Sequence, residues 1–241
     1  MALLRFIRHA QASYGSDNYD QLSDLGLEQA KVLGKFLANE VAPFTHIYVG
    51  PLYRHHQTLN ATLDAYRRAG RTAPAVTELP ELIEHKGPRV MGHVMPQLLE
   101  TEPTWARWMA ESEDDHELRR RYHLRLYDEV MRRWAGGDLD HLEPPFQNWT
   151  DFRADVAKAI QQILEENTES GAHVAAFSSG GTMSAAAGFA LGMNDPVKII
   201  DLNGRVFNTA WSTFLFSGER ITLRTFNETP HFTEDRWLTL V

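Results

Sequence analysis

The 241-residue chain contains no cysteine, which is the first constraint on its chemistry. Without thiols it can form no disulfide, no thiolate nucleophile and no cysteine-ligated metal site. An excess of positive charge is also lacking, since 24 Lys and Arg stand against 32 Asp and Glu for a formal net charge of −8. An acidic chain is poorly suited to non-specific binding of nucleic acid, so we expect no nucleic-acid partner.

Long apolar runs are absent as well. No run approaches the roughly 18 consecutive apolar residues of a membrane helix. The apolar N-terminal stretch, MALLRFIRHAQAS, is interrupted by Arg5 and Arg8, which argues against a signal peptide. We therefore expect a cytoplasmic protein without a membrane partner. With 43% hydrophobic residues, the chain is long enough to bury a sizeable core.

Apolar segments alternate with segments of helical periodicity along most of the chain. Strands are predicted at 2–9, 45–50 and 173–177, with a short extended piece at 75–83, and helices at 23–40, 53–70, 150–166 and 181–191. Ser23 or Asp24 is predicted to cap the first helix, and two β-rich runs around Ser217 and Gly218 indicate a hairpin. This alternation predicts an α/β domain with a largely parallel sheet.

The segment 96–145 interrupts the alternation and is predicted to be a helical insertion within a single domain spanning 1–241. Apolar residues recur there at every fourth position before a glycine pair: Leu118, Tyr122, Leu126, Val130 and Trp134, then Gly136 and Gly137. Arginines crowd the same helix: Arg119, Arg120, Arg121, Arg125, Arg132 and Arg133. Two interpretations stay open, because the arginines form either a solvated basic face or part of a lid over an anionic ligand.

Charged and polar residues follow the predicted strands where the strands end. Arg8 and His9 end the first strand, Arg54 follows the second, and SSGG (178–181) follows the strand at 173–177. Since ligands of open α/β sheets bind beyond the carboxyl ends of the strands, we expect these residues to converge. Arginines make bidentate contacts to phosphate oxygens, and helix N–H groups add to such an anion site. A neutral histidine among them can attack phosphorus.

Five short motifs carry a resemblance to a known family. They are RHAQAS (8–13), LSDLGLEQA (22–30), GPLYRHHQT (50–58), LIEHKG (82–87) and FNETPHF (226–232). In this order they resemble the landmarks of the histidine phosphatase, or phosphoglycerate mutase-like, superfamily. The resemblance spans nearly the whole chain apart from 96–145, and it implies a three-layer αβα sandwich.

The resemblance also implies roles for individual residues. His9 would be the nucleophile that becomes phosphohistidine, while Arg8 and Arg54 bind the phosphoryl group. Glu84 falls where the family places an acidic proton donor, and a carboxyl group among apolar neighbours can serve as a general acid. The implied activity is hydrolysis of a small phosphorylated substrate, a phosphomonoester, without metal or other cofactor. Assembly as a homodimer is the expectation from base rates alone.

Two residues depart from the family pattern. Ala10 replaces the usual Gly after the nucleophile, which is tolerable unless the backbone needs a positive φ. Ser179 replaces the usual second histidine and would bind phosphate together with the Gly180 and Gly181 backbone. The loss of a charged donor should cost on the order of ten- to thirtyfold in rate. Replacing Ser179 with histidine is therefore expected to raise the rate or the affinity for phosphate. Another histidine could also take over the role: His55, His56, His85, His93 or His231.

Two other functions stay open. A non-catalytic phosphoester-binding protein on the same fold would retain the anion site and lack turnover, as Ser179 suggests. A serine hydrolase could use Ser178, since AFSSG resembles a nucleophile elbow and Asp201 and His231 follow in the order of such enzymes. The fold of such serine hydrolases needs several more strands after the nucleophile, and few residues remain after Ser178. A histidine phosphatase is therefore the favoured interpretation.

Overall fold

The computed structural model describes residues 1–13, 20–142 and 146–240. Its strands are β1 (Ala2–Arg8), β2 (His46–Val49), β3 (Val76–Glu78), β4 (His173–Ser178), β5 (Trp211–Ser217) and β6 (Arg220–Glu228). Its α-helices are α1 (Asp24–Glu40), α2 (Tyr53–Arg68), α3 (Gly87–Thr101), α4 (Pro103–Glu111), α5 (His116–Gly136), α6 (Trp149–Glu166), α7 (Gly180–Ala190) and α8 (Pro196–Asn203). Within these ranges no helix is both long and apolar enough to cross a membrane.

One mixed sheet contains these six strands in the order β3-β2-β4-β1-β5-β6. The first four strands in that order pair in parallel, whereas β5 is antiparallel to both β1 and β6. The predicted α/β fold with a mostly parallel sheet is confirmed. Because β1, β2 and β4 run in one direction, the residues that follow them emerge at one edge of the sheet.

Helices cover both faces of the sheet, and the alternation of strand side chains produces two large core clusters. Leu4 and Phe6 of β1 pack into one core cluster, while Ile7 packs into the other. Phe152 of α6 belongs to the first cluster, and Leu37 of α1 belongs to the second. Each side chain of this kind contributes about 1.5–3 kcal/mol when it is fully buried. The two clusters fill the two interfaces between the central sheet and the helical layer on either side of it, which is the arrangement of an αβα sandwich.

Several element boundaries follow the local signals in the sequence. The Ser23 side chain accepts a hydrogen bond from the Gly26 N–H and caps α1, which decides between Ser23 and Asp24. Gly137 ends α5 with φ +84°, and Gly218 turns the β5–β6 hairpin with φ +56°. Both values lie in the left-handed region that glycine adopts without steric cost.

The segment 96–145 is helical in the part that the structure describes, and residues 143–145 lie outside that part. Its helical region begins earlier than position 96, because α3 starts at Gly87 and contains Pro96. The Gly87-Pro88 pair marks this start, since proline fits the first turn of a helix. The helix α5 reaches the region of Glu84, where the Trp134 ring lies 5.3 Å from the ring of His85.

Three arginines of α5 have partners within the chain. Arg132 pairs with Asp201 at 3.0 Å and Arg133 with Glu102 at 2.9 Å. The Arg125 guanidinium lies over the Trp108 ring, 4.4 Å from its centroid. These contacts favour the interpretation of a surface face for these arginines, and the lid stays a prediction.

Candidate active site

His9 lies directly after β1 and is almost fully buried, with 3% of its surface exposed. The Arg54 Nε–H donates to His9 Nε2 at 3.2 Å. Because an arginine can only donate, Nε2 must carry the lone pair and Nδ1 the proton. The Nδ1–H then donates to the Ala10 carbonyl at 2.7 Å. His9 accepts one hydrogen bond at Nε2 and donates one from Nδ1, so the two bonds hold a single tautomer with the lone pair on Nε2.

The surroundings of His9 keep its imidazole neutral. Burial lowers its pKa well below 6.5, and the positive charges of Arg54 and Arg8 lower that pKa further. A neutral imidazole is the form that can attack phosphorus. The predicted nucleophile is therefore in its reactive form at neutral pH.

The backbone around His9 is held by side chains that sequence reasoning did not identify. The Ala10 N–H donates to Thr58 Oγ1 at 3.0 Å, and Asn208 Nδ2 donates to the His9 carbonyl at 3.2 Å. Ala10 is not among the described residues with a positive φ. A side chain at position 10 therefore introduces no backbone strain, and the departure from glycine is accommodated.

Arg54 lies at the first turn of α2 and is 7% exposed. Its Nη1 pairs with Asp20 Oδ1 at 2.9 Å. The same carboxylate accepts from the backbone N–H groups of Tyr53 and Arg54 at 3.0 and 3.3 Å. Asp20 thus caps α2 and orients the guanidinium that contacts His9. No pattern in the sequence singles out Asp20, because its contacts are made with residues more than thirty positions away.

Arg8 is the last residue of β1 and directly precedes His9. Its Nη1 donates to the Val206 carbonyl and its Nη2 to the Leu240 carbonyl at 2.8 Å. A Cβ atom added to Gly180 would lie 3.5 Å from Arg8 Nε. The guanidinium therefore lies beside the N-terminus of α7, where it was expected, and it also joins β1 to the C-terminal segment. Its role in phosphoryl binding stays a prediction.

Glu84 lies in a loop that is tied to the turn between β4 and α7. Ser178 Oγ donates to the Leu82 carbonyl at 2.6 Å, and Thr182 Oγ1 donates to the Ile83 carbonyl at 3.0 Å. The Glu84 carboxylate accepts from the Gly181 N–H at 3.1 Å. The loop therefore places a carboxyl group at the N-terminus of α7.

The glycine pair of that turn is required by close packing. A Cβ atom at Gly181 would lie 2.2 Å from Glu84 Oε1, and one at Gly180 would lie 2.6 Å from Asn203 Oδ1. Both distances are far below contact distance. Only glycine therefore allows Glu84 and Asn203 to lie against the start of the helix.

Ser179 has no exposed surface, and its Oγ lies 2.6 Å from His55 Nε2. The His55 ring also lies near His9, with a centroid-to-centroid distance of 5.8 Å. Among the five histidines considered as replacements, His55 is thus in contact with Ser179.

The other four histidines have different surroundings. His56 pairs with Glu78 at 2.8 Å on the protein surface, and His93 packs against Phe146. His231 Nε2 hydrogen-bonds Thr209 Oγ1 at 2.8 Å. His85 lies 3.5 Å from Glu84 Oε1 and 3.2 Å from Asn203 Nδ2. His85 is therefore next to the candidate proton donor rather than next to Ser179.

The three residues of the serine hydrolase alternative are each bonded elsewhere. The Ser178 hydroxyl is buried and donates to the Leu82 carbonyl. Asp201 pairs with Arg132, and His231 contacts Thr209. No hydrogen bond links these three residues to one another in the described ranges. Across residues 1–13, 20–142 and 146–240, no three His, Cys, Asp or Glu side chains are grouped to hold a metal ion.

Comparison with known proteins identifies a family. The sequence profile of the histidine phosphatase superfamily (branch 1) matches residues 4–134 and 116–229, which together cover most of the chain. No curated protein sequence matches the chain. The predicted resemblance is thus confirmed by an independent profile.

Solved structures with the same fold include several enzymes. Phosphoglycerate mutase of Bacillus anthracis aligns with a TM-score of 0.65 at 15% identity, over 95% of this chain and 94% of that one. A mycobacterial glucosyl-3-phosphoglycerate phosphatase aligns with a TM-score of 0.61 at 18% identity, over 94% and 99%. A phosphoserine phosphatase mutant of Entamoeba histolytica, in complex with phosphoserine, aligns with a TM-score of 0.58 at 17% identity, over 96% and 99%. At these identities the likeness establishes the fold alone.

Proposed function

The chain belongs to the histidine phosphatase superfamily, branch 1, and from this premise we propose that it hydrolyses small phosphomonoesters through a phosphohistidine on His9. The observation that carries the proposal is the geometry of His9. Its imidazole is buried, neutral and held in the tautomer with the Nε2 lone pair beside the Arg54 guanidinium. The solved relatives named for phosphoserine and glucosyl-3-phosphoglycerate phosphatases support a small phosphorylated substrate.

The first step transfers the phosphoryl group to the enzyme. The His9 Nε2 lone pair attacks phosphorus, and the bond from phosphorus to the ester oxygen breaks. The leaving alcohol takes a proton from the Glu84 carboxyl group. Arg54, with the N–H groups at the start of α7, stabilises the charge on the phosphoryl oxygens. The Nδ1–H bond to the Ala10 carbonyl stabilises the positive charge that the ring acquires.

The second step regenerates the enzyme. The Glu84 carboxylate takes a proton from a water molecule, whose oxygen attacks phosphorus. The bond from phosphorus to His9 Nε2 breaks, the lone pair returns to the ring, and inorganic phosphate leaves. A mutase must protect its phosphoenzyme from water between its two half-reactions. Because nothing in the sequence indicates such protection, we favour a phosphatase. The cytoplasmic location and the homodimer stay predictions from the sequence.

The first experiment compares the wild type with His9→Ala on an aryl phosphate, in a buffer that contains a metal chelator. Hydrolysis by the wild type should persist with the chelator, and His9→Ala should lower kcat by at least about a thousandfold. His56→Ala is the matched control, because His56 lies on the surface in an ion pair with Glu78. Equal rates for the wild type and His9→Ala would contradict the proposal.

Chemical stability of the phosphoenzyme identifies the residue that is phosphorylated. A phosphohistidine is labile in acid and stable in alkali, whereas a phosphoserine has the opposite behaviour. An acid-labile phosphate that is absent from His9→Ala would support the mechanism. An acid-stable phosphate would instead move the covalent step to a serine such as Ser179.

A phosphoester-binding protein without turnover is the second candidate, and Ser179 in the place of the usual histidine is the observation that favours it. The two candidates give different results with the same samples. If neither wild type nor variant hydrolyses any phosphomonoester of a metabolite panel, while phosphate raises the melting temperature, the binding protein is the correct description.

A further inference from the structure

The pair formed by His55 and Ser179 is the feature of the site that the mechanism above leaves unused. The two residues are 124 positions apart in the chain, and both have 0% exposed surface. Their hydrogen bond of 2.6 Å joins the first turn of α2 to the turn that precedes α7. A buried contact between two polar groups so far apart in sequence is specific, since burying either without a partner is costly.

The Ser179 hydroxyl is bonded to His55 and does not cap helix α7. Ser179 is the N-cap residue of α7, where a serine side chain normally accepts from an N–H of the first turn. In the described residues its side chain makes no such capping bond, and it contacts His55 instead. The first N–H groups of α7 are therefore not taken up by the Ser179 side chain. The Gly181 N–H already donates to Glu84, so the serine hydroxyl can act on one anion together with the other N–H groups of the first turn.

His55 is neutral, and a neutral imidazole can position the Ser179 hydroxyl as a hydrogen-bond donor. Burial lowers the His55 pKa well below 6.5, and the positive charge of Arg54 lowers it further. In one tautomer of the neutral imidazole the bond runs from Nε2–H to Ser179 Oγ, and in the other it runs from the hydroxyl to Nε2. With the proton on Nε2, the hydroxyl directs its own proton away from the imidazole. That proton is available to an oxygen of a group bound at His9, whose ring centroid lies 5.8 Å from that of His55.

We propose that His55 carries its proton on Nε2 and is a positioning residue, which holds the Ser179 hydroxyl so that this hydroxyl donates to a phosphoryl oxygen at His9. His55 and Ser179 together then supply the hydrogen bond to the phosphoryl oxygen that a single charged donor at position 179 would supply. This inference rests on the proposed function, because it assigns a role in the same phosphoryl site.

Two substitutions of similar size separate hydrogen bonding from packing at position 55. Glutamine can place a side-chain N–H near the position of Nε2, whereas leucine fills the space without a donor. We expect His55→Leu and Ser179→Ala each to lower kcat/KM by about ten- to hundredfold. His55→Gln should stay within about fivefold of the wild type, because the hydrogen bond to Ser179 is retained. The same exchanges at His56, which is partly exposed at the surface and paired with Glu78, should leave kcat/KM unchanged.

The double variant His55→Leu/Ser179→Ala tests whether the two residues act as a unit. If they do, its kcat/KM equals that of the worse single variant, because the second change removes an interaction that is already lost. Equal loss in His55→Leu and His55→Gln, or losses that multiply in the double variant, would overturn the proposal.

Binding of inorganic phosphate, measured by calorimetry, separates this inference from the proposed function. The affinity should fall in His55→Leu and Ser179→Ala and be retained in His55→Gln, with thermal melting showing that each variant is folded. This pattern is expected even if the wild type proves inactive, in which case the catalytic proposal fails while the role of His55 stands. Unchanged phosphate affinity in all three variants would overturn the role of His55 alone.

Discussion

At the scale of single residues, the protonation state of His9 decides whether it can act as the proposed nucleophile. A histidine in water has a pKa near 6.5, so at pH 6 most of the imidazole rings carry a second proton and have no free lone pair with which to attack phosphorus. Here burial and two nearby arginines lower the His9 pKa well below that value. We therefore expect the ring to stay neutral as the pH falls from 7.5 to 6. An NMR titration of the His9 ring protons, assigned with the His9→Ala variant, measures this directly, and a midpoint near 6.5 would contradict the expectation.

A second prediction at this scale concerns position 179. The sequence suggests that Ser179→His should restore the usual donor, but the structure changes that expectation, because His55 already occupies the adjoining space. Inserting an imidazole into this packed site should lower stability by about 1–3 kcal/mol and reduce activity. The double variant His55→Ala/Ser179→His removes the obstruction and should recover activity. Measurements of kcat/KM and Tm test this exchange, and a gain in the single variant without a further gain in the double would refute it.

The residues that could be predicted from the sequence are those that follow strands in recognisable motifs. His9, Arg54 and Glu84 belong to this set, and the fold brings them to one edge of the sheet. Asp20 and the contact between His55 and Ser179 could not be predicted. Their partners are far away in the chain, so only the packing of α2 against the β4–α7 turn reveals them.

At the scale of elements, the N-terminus of α7 depends on glycine. A methyl group at Gly181 would lie 2.2 Å from Glu84 Oε1 and would displace the candidate proton donor. We expect Gly181→Ala to lower kcat by about a hundredfold, since displacements of about 1 Å have effects of this size. Steady-state kinetics on the folded variant provide the measurement.

Gly92→Ala is the matched control for this change. Gly92 lies within α3, and a Cβ atom there has no neighbour within 4 Å in the described residues. Alanine should therefore stabilise the helix by about 0.5–1 kcal/mol and leave kcat unchanged. Full activity in Gly181→Ala would show that the placement of Glu84 is not required for turnover.

Periodicity predicted most helices and strands but did not identify α3, α4 or α8 individually. The helix α8 has only eight residues, which is too short for apolar periodicity to be visible. The helix α3 contains Pro96, which in a sequence indicates a break. In α3 that proline lies inside the helix, so the local signal was overridden by packing of Val90, Val94 and Leu98 into the core.

At the scale of the whole molecule, buried histidines make the fold sensitive to acid. The native pKa is lowered to about 3 for His231 and to about 4 for His173, and to well below 6.5 for His9 and His55. Below pH 6.5 the unfolded chain binds protons that the native protein excludes. Stability is therefore present above pH 6.5 and is lost as the pH falls towards the native values.

His231 allows this loss to be measured separately. Between pH 7 and pH 5 its contribution should lower the free energy of unfolding by about 2 kcal/mol. His231→Gln retains a donor for Thr209 but cannot titrate, so its stability should depend less steeply on pH by that amount. Urea denaturation of both proteins at the two pH values provides the comparison, and parallel pH dependences would contradict the prediction.

The position of β1 in the sheet has a consequence for the order in which the protein can form during its synthesis. This strand is made well before both of its neighbours, as the pairs Leu3↔His173 and Leu3↔Leu215 show. An incomplete chain that ends before β4 therefore holds an apolar strand with neither of its two partner strands. His9, Arg8, Arg54 and Glu84 all precede β4 in the chain, but the centre of the sheet is complete only after β5 has been made.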